Sequence, residues 1–163
     1  QHEDIDKWRN SLSGGISYHD SDTNLVLQGG IDDVWFNLDT NQIIVADYKA
    51  QSTKINPEKN YYLNGTYHQS YKMQMDIYVY ILRKMGFKVA DTSYFMVCNG
   101  EKTGNRFDAT MNFSITLIDY DTDTSWISEK ITKMKSVLDA NTLPERNANC
   151  ENCAYLEQGA KLI

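Results

Sequence analysis

The apolar positions of this chain switch repeatedly between a strand-like and a helical period. Residues 25–38 read as strand, interrupted by Gly29-Gly30, and residues 43–50 read as a second strand. Between them Asp39-Thr40-Asn41 supplies turn chemistry, so a hairpin is expected. A polar, tyrosine-rich stretch follows over residues 51–69. Tyr71, Gln74, Tyr78, Ile81 and Met85 then recur at spacings of three and four, which predicts a helix over 70–85 stopped by Gly86. Residues 92–98 and 110–120 read as further strands, the first ending in an Asn99-Gly100 turn. Over 124–140, Ile127, Ile131, Met134 and Leu138 predict an amphipathic helix. Residues 5–12 suit a short helix ended by Gly14-Gly15, and the tail from Pro144 is expected to be irregular. The order β-β-α-β-β-α implies an α/β (α+β) domain, a mixed central sheet flanked by helices.

Parity along the hairpin decides which side chains share a face. Even positions of the first strand are Asp32, Val34, Phe36 and Leu38; odd positions of the second are Ile43, Val45, Asp47 and Lys49. With Thr40-Asn41 as a two-residue turn, or with a four-residue loop, Leu38 is expected opposite Ile43, Phe36 opposite Val45, Val34 opposite Asp47, and Asp32 opposite Lys49. The apolar members of both sets then fall on one face, which is the register a core selects. The same register sets two carboxylates and an ammonium at the end of an apolar stripe. Burying an unpaired carboxylate is costly, so these groups need partners or a metal. Asp32 and Asp47 are hard oxygen ligands suited to Mg²⁺ or Mn²⁺, and Lys49 lies on the side of Asp47.

A lone Asp-x-Lys reads first as a partly buried ion pair at a strand end. Three features favour a site. Gly29 stands three residues before Asp32, where a small residue permits close approach. An aspartate occupies an otherwise apolar parity. A short turn fixes the two halves relative to each other.

Composition changes this picture little. The chain has 163 residues, 41% hydrophobic and 23% charged, an ordinary mixture for one domain. One domain over residues 1–163 is expected, with a truncated core as the alternative, because the chain does not open with methionine. No apolar run approaches the roughly 20 residues of a membrane span, and no signal peptide is visible. The cysteines Cys98, Cys150 and Cys153 are an odd set that does not suit a secreted disulfide framework, so a reducing cytoplasm is the expected compartment. The net charge of −6 argues against nucleic acid when taken alone. Carboxylates gathered around bound cations reverse that local sign.

Gly29-Gly30-Ile31-Asp32, followed after one turn by Ile43-Ile44-Val45-Ala46-Asp47-Tyr48-Lys49, resembles the G-x-x-D…hydrophobic-D-x-K pattern of PD-(D/E)XK nucleases, in their RecB-like, CRISPR-associated exonuclease-like branch. Gln74-Met75-Asp76-Ile77-Tyr78 resembles the Q-x-x-x-Y motif of the same branch, on the helix after the D-x-K strand. The resemblance implies a restriction-endonuclease-like core and a Mg²⁺- or Mn²⁺-dependent deoxyribonuclease acting on single-stranded DNA or duplex ends. It implies that Asp32, Asp47 and the main-chain carbonyl of Tyr48 bind metal. It also implies that Lys49 orients or activates the attacking water, that Gln74 organises the site, and that Tyr78 faces nucleic acid. Apart from the resemblance, Tyr61, Tyr62, Tyr67 and Tyr71 are numerous enough to offer stacking for unpaired bases, against ordinary packing as the plainer reading. A histidine or glutamate near the start often completes the metal site in that family, and His2 and Glu3 are the candidates here. Cys150-x-x-Cys153 resembles the family's C-terminal cysteine cluster, but Leu156-Glu157-Gln158-Gly159 stands where a further cysteine would follow, so an iron–sulfur cluster is not expected. His19 is expected in a loop and His68 at the surface. The alternative reading is a catalytically inactive nuclease-fold module that binds nucleic acid or protein.

Overall fold

The computed structural model describes residues 2–102 and 110–161. Its elements in chain order are α1 (Ile5–Arg9), β1 (Ile16–Asp20), β2 (Leu25–Gly29), β3 (Asp33–Asn37), β4 (Gln42–Gln51), α2 (Lys59–Asn64), a 3-10 turn (Thr66–His68), α3 (Gln69–Lys84), β5 (Thr92–Gly100), β6 (Phe113–Asp121), α4 (Ile127–Asp139) and α5 (Glu151–Ala160). β1 and β2 pair as a separate hairpin, and the central sheet runs β3-β4-β5-β6. β4 and β5 are parallel and the other pairs antiparallel. This is a restriction-endonuclease-like mixed sheet flanked by helices, as the sequence implied. No helix among the described residues is long and apolar enough to cross a membrane.

The β3–β4 hairpin differs in register from expectation. Its closing pair is Asn37 with Gln42, and Phe36 faces Ile43 while Val34 faces Val45. The turn chemistry explains the shift. Asn37 Oδ1 accepts from the amides of Asp39 (2.9 Å) and Thr40 (3.2 Å), and Asn41 adopts a left-handed φ of 53°. Four residues therefore lie in the loop, ending one residue earlier than expected. A displacement by an even number keeps every side chain on its face. It moves Asp32 from a place opposite Lys49 to one beside Asp47. The stripe also ends sooner, because Phe36 and Leu38 at the hairpin tip are exposed.

α3 packs against the sheet with Met75, Tyr78, Val79, Ile81 and Leu82 beside Val45, Phe95, Val97 and Ile118. Its other side, at Tyr80 and Ile77, meets Tyr18, Leu25 and Leu27 of the β1–β2 hairpin and Ile127 and Ile131 of α4. Two packed sides, rather than one stripe, bury most of the helix, and the expected stripe residue Met85 is left outside at its end. α4 buries only Ile127 and Ile131; Met134 and Leu138 continue its period into solvent.

Other departures are local. β1 was not anticipated, and His19 sits within it, its Nε2 2.9 Å from Asn24 Oδ1. Asn99-Gly100 continues β5 instead of turning, because Asn99 pairs with Ser114 and Gly100 with Phe113. The tail forms α5, which starts at a cap made by Cys150 Sγ accepting from the Cys153 amide at 3.4 Å.

Candidate active site

β4 carries the candidate residues Asp47 and Lys49 on its odd-numbered positions, and Lys49 reaches Gln74 of α3 from there. Asp47 there is 2% exposed. Its Oδ2 is held by the Lys49 ammonium in a close ion pair. Burial pushes the Asp47 carboxyl above the usual carboxylate range; Lys49 opposes this, and the nearby Asp32 charge adds to it.

Asp32 stands just before β3, past the last β3–β4 pair of Asp33 with Ala46. With no strand partner there, the Tyr48 amide donates instead to Asp32 Oδ2 at 2.7 Å. The N–H and C=O of one strand residue point the same way. The Tyr48 carbonyl is thus directed past the end of β3, on the side of Asp32. The Asp32 segment is anchored from behind: Arg9 Nε donates to its main-chain carbonyl at 2.7 Å and Arg9 also pairs with Asp33 Oδ1 at 3.1 Å. The Tyr48 hydroxyl donates to Asp33 Oδ2 at 2.6 Å, and that bond, more than burial, raises its pKa. Asp33 is therefore occupied, and Asp32 keeps one carboxylate oxygen clear of the Tyr48 bond.

α3 supplies the second half. Lys49 Nζ donates to Gln74 Oε1 at 3.2 Å, and Gln74 Nε2 donates to the Tyr78 hydroxyl oxygen at 2.6 Å. Tyr78 is 6% exposed, and burial raises its hydroxyl pKa. From this position it holds Gln74 and does not lie open to a nucleic-acid strand. Gly29 has its reason here: a Cβ on it would lie 2.6 Å from Tyr78 Cε1. The close approach expected at this glycine is that of a core ring. Tyr71, half-buried, lies under Lys49 with its ring centroid 4.6 Å from Nζ.

Tyr71 continues into a ring stack that the sequence did not disclose. His68 stacks on Tyr71 at 5.5 Å and on the buried Tyr62 at 4.0 Å. Its Nδ1 lies 2.6 Å from the Tyr62 carbonyl and so carries the proton that is donated there. His68 is half-buried by these contacts, contrary to the expected exposure.

The weaker candidates lie elsewhere. His2 stacks on Trp8 at 4.4 Å and meets Phe87 edge-on at 5.5 Å, and Glu3 is exposed. No hydrogen bond or ion pair among the described residues ties either to Asp32 or Asp47. Cys150 and Cys153 are free thiols at the start of α5, where the Cys153 amide donates to Cys150 Sγ, while Cys98 is half-buried on β5. Among the described residues no cluster of three or more His, Cys, Asp or Glu side chains gathers.

Sequence reasoning also passed over Asp76. It is 4% exposed on α3 and accepts from the Tyr120 hydroxyl (3.0 Å), the Asp123 amide (3.0 Å) and Trp126 Nε1 (3.1 Å). It ties α3 to the end of β6 and the start of α4. Its position inside the Gln74–Tyr78 motif gave no hint of this.

The profile of the PD-(D/E)XK nuclease superfamily matches residues 3–158 of the chain. No curated protein and no solved structure matches it.

Proposed function

Because the chain belongs to the PD-(D/E)XK nuclease superfamily, we propose that it is a metal-dependent nuclease of the RecB-like exonuclease type that hydrolyses phosphodiester bonds of DNA. The observation that carries this reading is the joining of Asp47, Lys49, Gln74 and Tyr78 into one connected group, with Asp32 held beside it on the Tyr48 amide.

The donor set suits Mg²⁺ or Mn²⁺. Asp47 offers a buried carboxylate whose charge is shared with the Lys49 ammonium, Asp32 keeps an oxygen clear of the Tyr48 amide, and the Tyr48 carbonyl points the same way. All three are hard oxygens, and Mg²⁺ is ordinarily held by one or two carboxylates with water and phosphate completing its shell. When bound, the ion acidifies water and neutralises charge on the scissile phosphate.

The remaining work falls to the chain's own residues. Lys49 places a fixed positive charge beside Asp47, where a phosphate oxygen or an attacking water is to be met. Gln74 and the face of Tyr71 set the direction of that ammonium. Tyr78 fixes Gln74 in turn, so that the amide oxygen and not the amide nitrogen faces Lys49.

The test is hydrolysis of labelled single-stranded and duplex DNA in Mg²⁺ or Mn²⁺, with EDTA as control. Asp47→Ala and Lys49→Ala should each abolish it, and calorimetry should show Mn²⁺ binding that Asp32→Ala and Asp47→Ala remove. Undiminished hydrolysis in the variants would overturn the assignment. A parent protein that neither binds Mn²⁺ in calorimetry nor hydrolyses DNA would leave the docking module.

A further inference from the structure

A cavity of about 580 Å³ opens at the carboxyl end of β4, lined by Gln51, Ile55, Pro57, Tyr61, Tyr62 and His68 among others. Its position follows from the strand. Gln51 lies two residues beyond Lys49 on the same side of β4, about 7 Å along at the usual rise per residue. Rings connect the two places as well. Tyr62 and His68 line the cavity, His68 stacks on Tyr71, and Tyr71 lies under the Lys49 ammonium. The cavity is thus one ring away from the group that meets the phosphate.

Its walls are built rather than incidental. Asn99, 2% exposed on β5, accepts from the Thr53 amide (2.9 Å) and hydroxyl (3.0 Å) and donates to the Thr53 carbonyl (3.2 Å) and Asn56 Oδ1 (3.3 Å). Ser114 Oγ donates to the same Asn56 oxygen at 2.5 Å. The loop after β4 is therefore held in shape by the sheet beneath it. Glu58, the acidic residue of the lining, directs both carboxylate oxygens at the Asn60 and Tyr61 amides that open α2. That placement partly offsets its charge, and Lys54 adds a cation to the rim. Two large side chains of the lining, Ile55 and Tyr61, are about four-fifths exposed at 80% and 81%.

We infer that this cavity takes an unpaired nucleobase of the strand whose phosphate lies at Lys49. The inference rests on the nuclease reading above and adds a subsite for the base beside that phosphate. The volume lies in the range of small-ligand sites, roughly 300–1,000 Å³. Tyrosine faces stack any base, with little regard to sequence. A base enclosed in a duplex has both faces covered and cannot enter without leaving the stack.

The experiment measures binding of a short labelled single-stranded DNA, the same strand with abasic sites, and the matching blunt duplex. Fluorescence anisotropy in Ca²⁺, a hard cation for the same oxygen ligands, keeps the site's charge balanced, and strand length is checked after each titration to keep hydrolysis out of the measurement. The protein is expected to prefer the intact single strand over both others. Tyr61→Ala and Ile55→Ala should each weaken that binding by about fivefold or more without changing binding of the abasic strand. Both residues are exposed, so melting temperatures should stay unchanged and exclude misfolding. Equal binding of intact and abasic strands, or variants that weaken both alike or neither, overturns the inference. Hydrolysis in Mg²⁺ is followed in parallel. Hydrolysis without base-dependent binding sinks this inference alone; base-dependent binding without hydrolysis supports it and sinks the nuclease reading.

Discussion

The Lys49 ammonium donates to the Gln74 amide oxygen at 3.2 Å, joining β4 to α3 across 25 residues of sequence. Gln74 is itself fixed by Tyr78, so the ammonium has one preferred direction. Gln74→Ala should lower the hydrolysis rate about 10- to 100-fold, the usual cost of losing a group that orients a metal-site residue. Lys49→Ala should cost more, because it removes the charge itself. Mn²⁺ affinity should survive in Gln74→Ala, whose side chain is not among the proposed ligands. A calorimetric titration showing that affinity lost would assign Gln74 a different role.

Gly29 and Tyr78 form a packing pair on which the same chain of contacts depends. A methyl group at residue 29 would meet the Tyr78 ring at 2.6 Å, closer than any tolerated contact. Gly29→Ala should therefore destabilise the protein by about 1–3 kcal/mol and should also slow hydrolysis, since the displaced ring carries the hydroxyl that holds Gln74. In a Tyr78→Ala background the added methyl should cost markedly less, as expected for coupled neighbours. Thermal melts of the two single variants and the double variant read this out; additive losses would show that the contact is relieved in some other way.

The residues of the proposed site were visible in the sequence because each depends on a short-range rule. Parity on β4 put Asp47 and Lys49 together, and helical spacing put Gln74 and Tyr78 on one side of α3. What the sequence left hidden depends on contacts between distant segments. The two-residue change in hairpin register came from how the Asn37 side chain closes its turn, which periodicity does not encode. The Arg9–Asp33–Tyr48 anchor, the Tyr62–His68–Tyr71 stack and the burial of Asp76 each join residues that no local pattern relates. α5 escaped notice because none of its residues is buried, so it lacks the apolar face by which a helix is read.

Cys150 and Cys153 should differ in reactivity although they lie three residues apart. Cys150 Sγ caps α5 and accepts from Cys153, whose thiol and amide lower its pKa; the same contact raises that of Cys153. Alkylation follows the thiolate fraction. Iodoacetamide at neutral pH should label Cys150 ahead of Cys153, and Cys153→Ala should slow labelling of Cys150 while leaving the amide contact in place. Peptide mapping of a time course reports both rates. Faster labelling of Cys153 would mean that the cap does not form in solution.

Asp76 should behave as a structural acid with a pH signature of its own. Three donors from β6, the following turn and α4 converge on it, so Asp76→Ala leaves the Tyr120 hydroxyl, the Asp123 amide and the Trp126 indole without an acceptor. The cost should be on the order of 3 kcal/mol, from the usual penalty for stranded buried donors. Asp76→Asn keeps one acceptor oxygen and should cost less. Burial is the largest influence on the carboxyl and holds it above its ordinary value of 3.8, against the lowering effect of the three donors. A raised value means that the folded protein binds the proton more tightly than the unfolded chain. The stability linked to that proton is therefore complete below the ordinary value and declines as pH rises through the folded-state value. Asparagine does not titrate. The advantage of the parent protein over Asp76→Asn in melting temperature should accordingly be largest in acid and shrink as the pH rises past that range. An advantage that instead grows with pH would show that the three donors, and not burial, dominate the carboxyl.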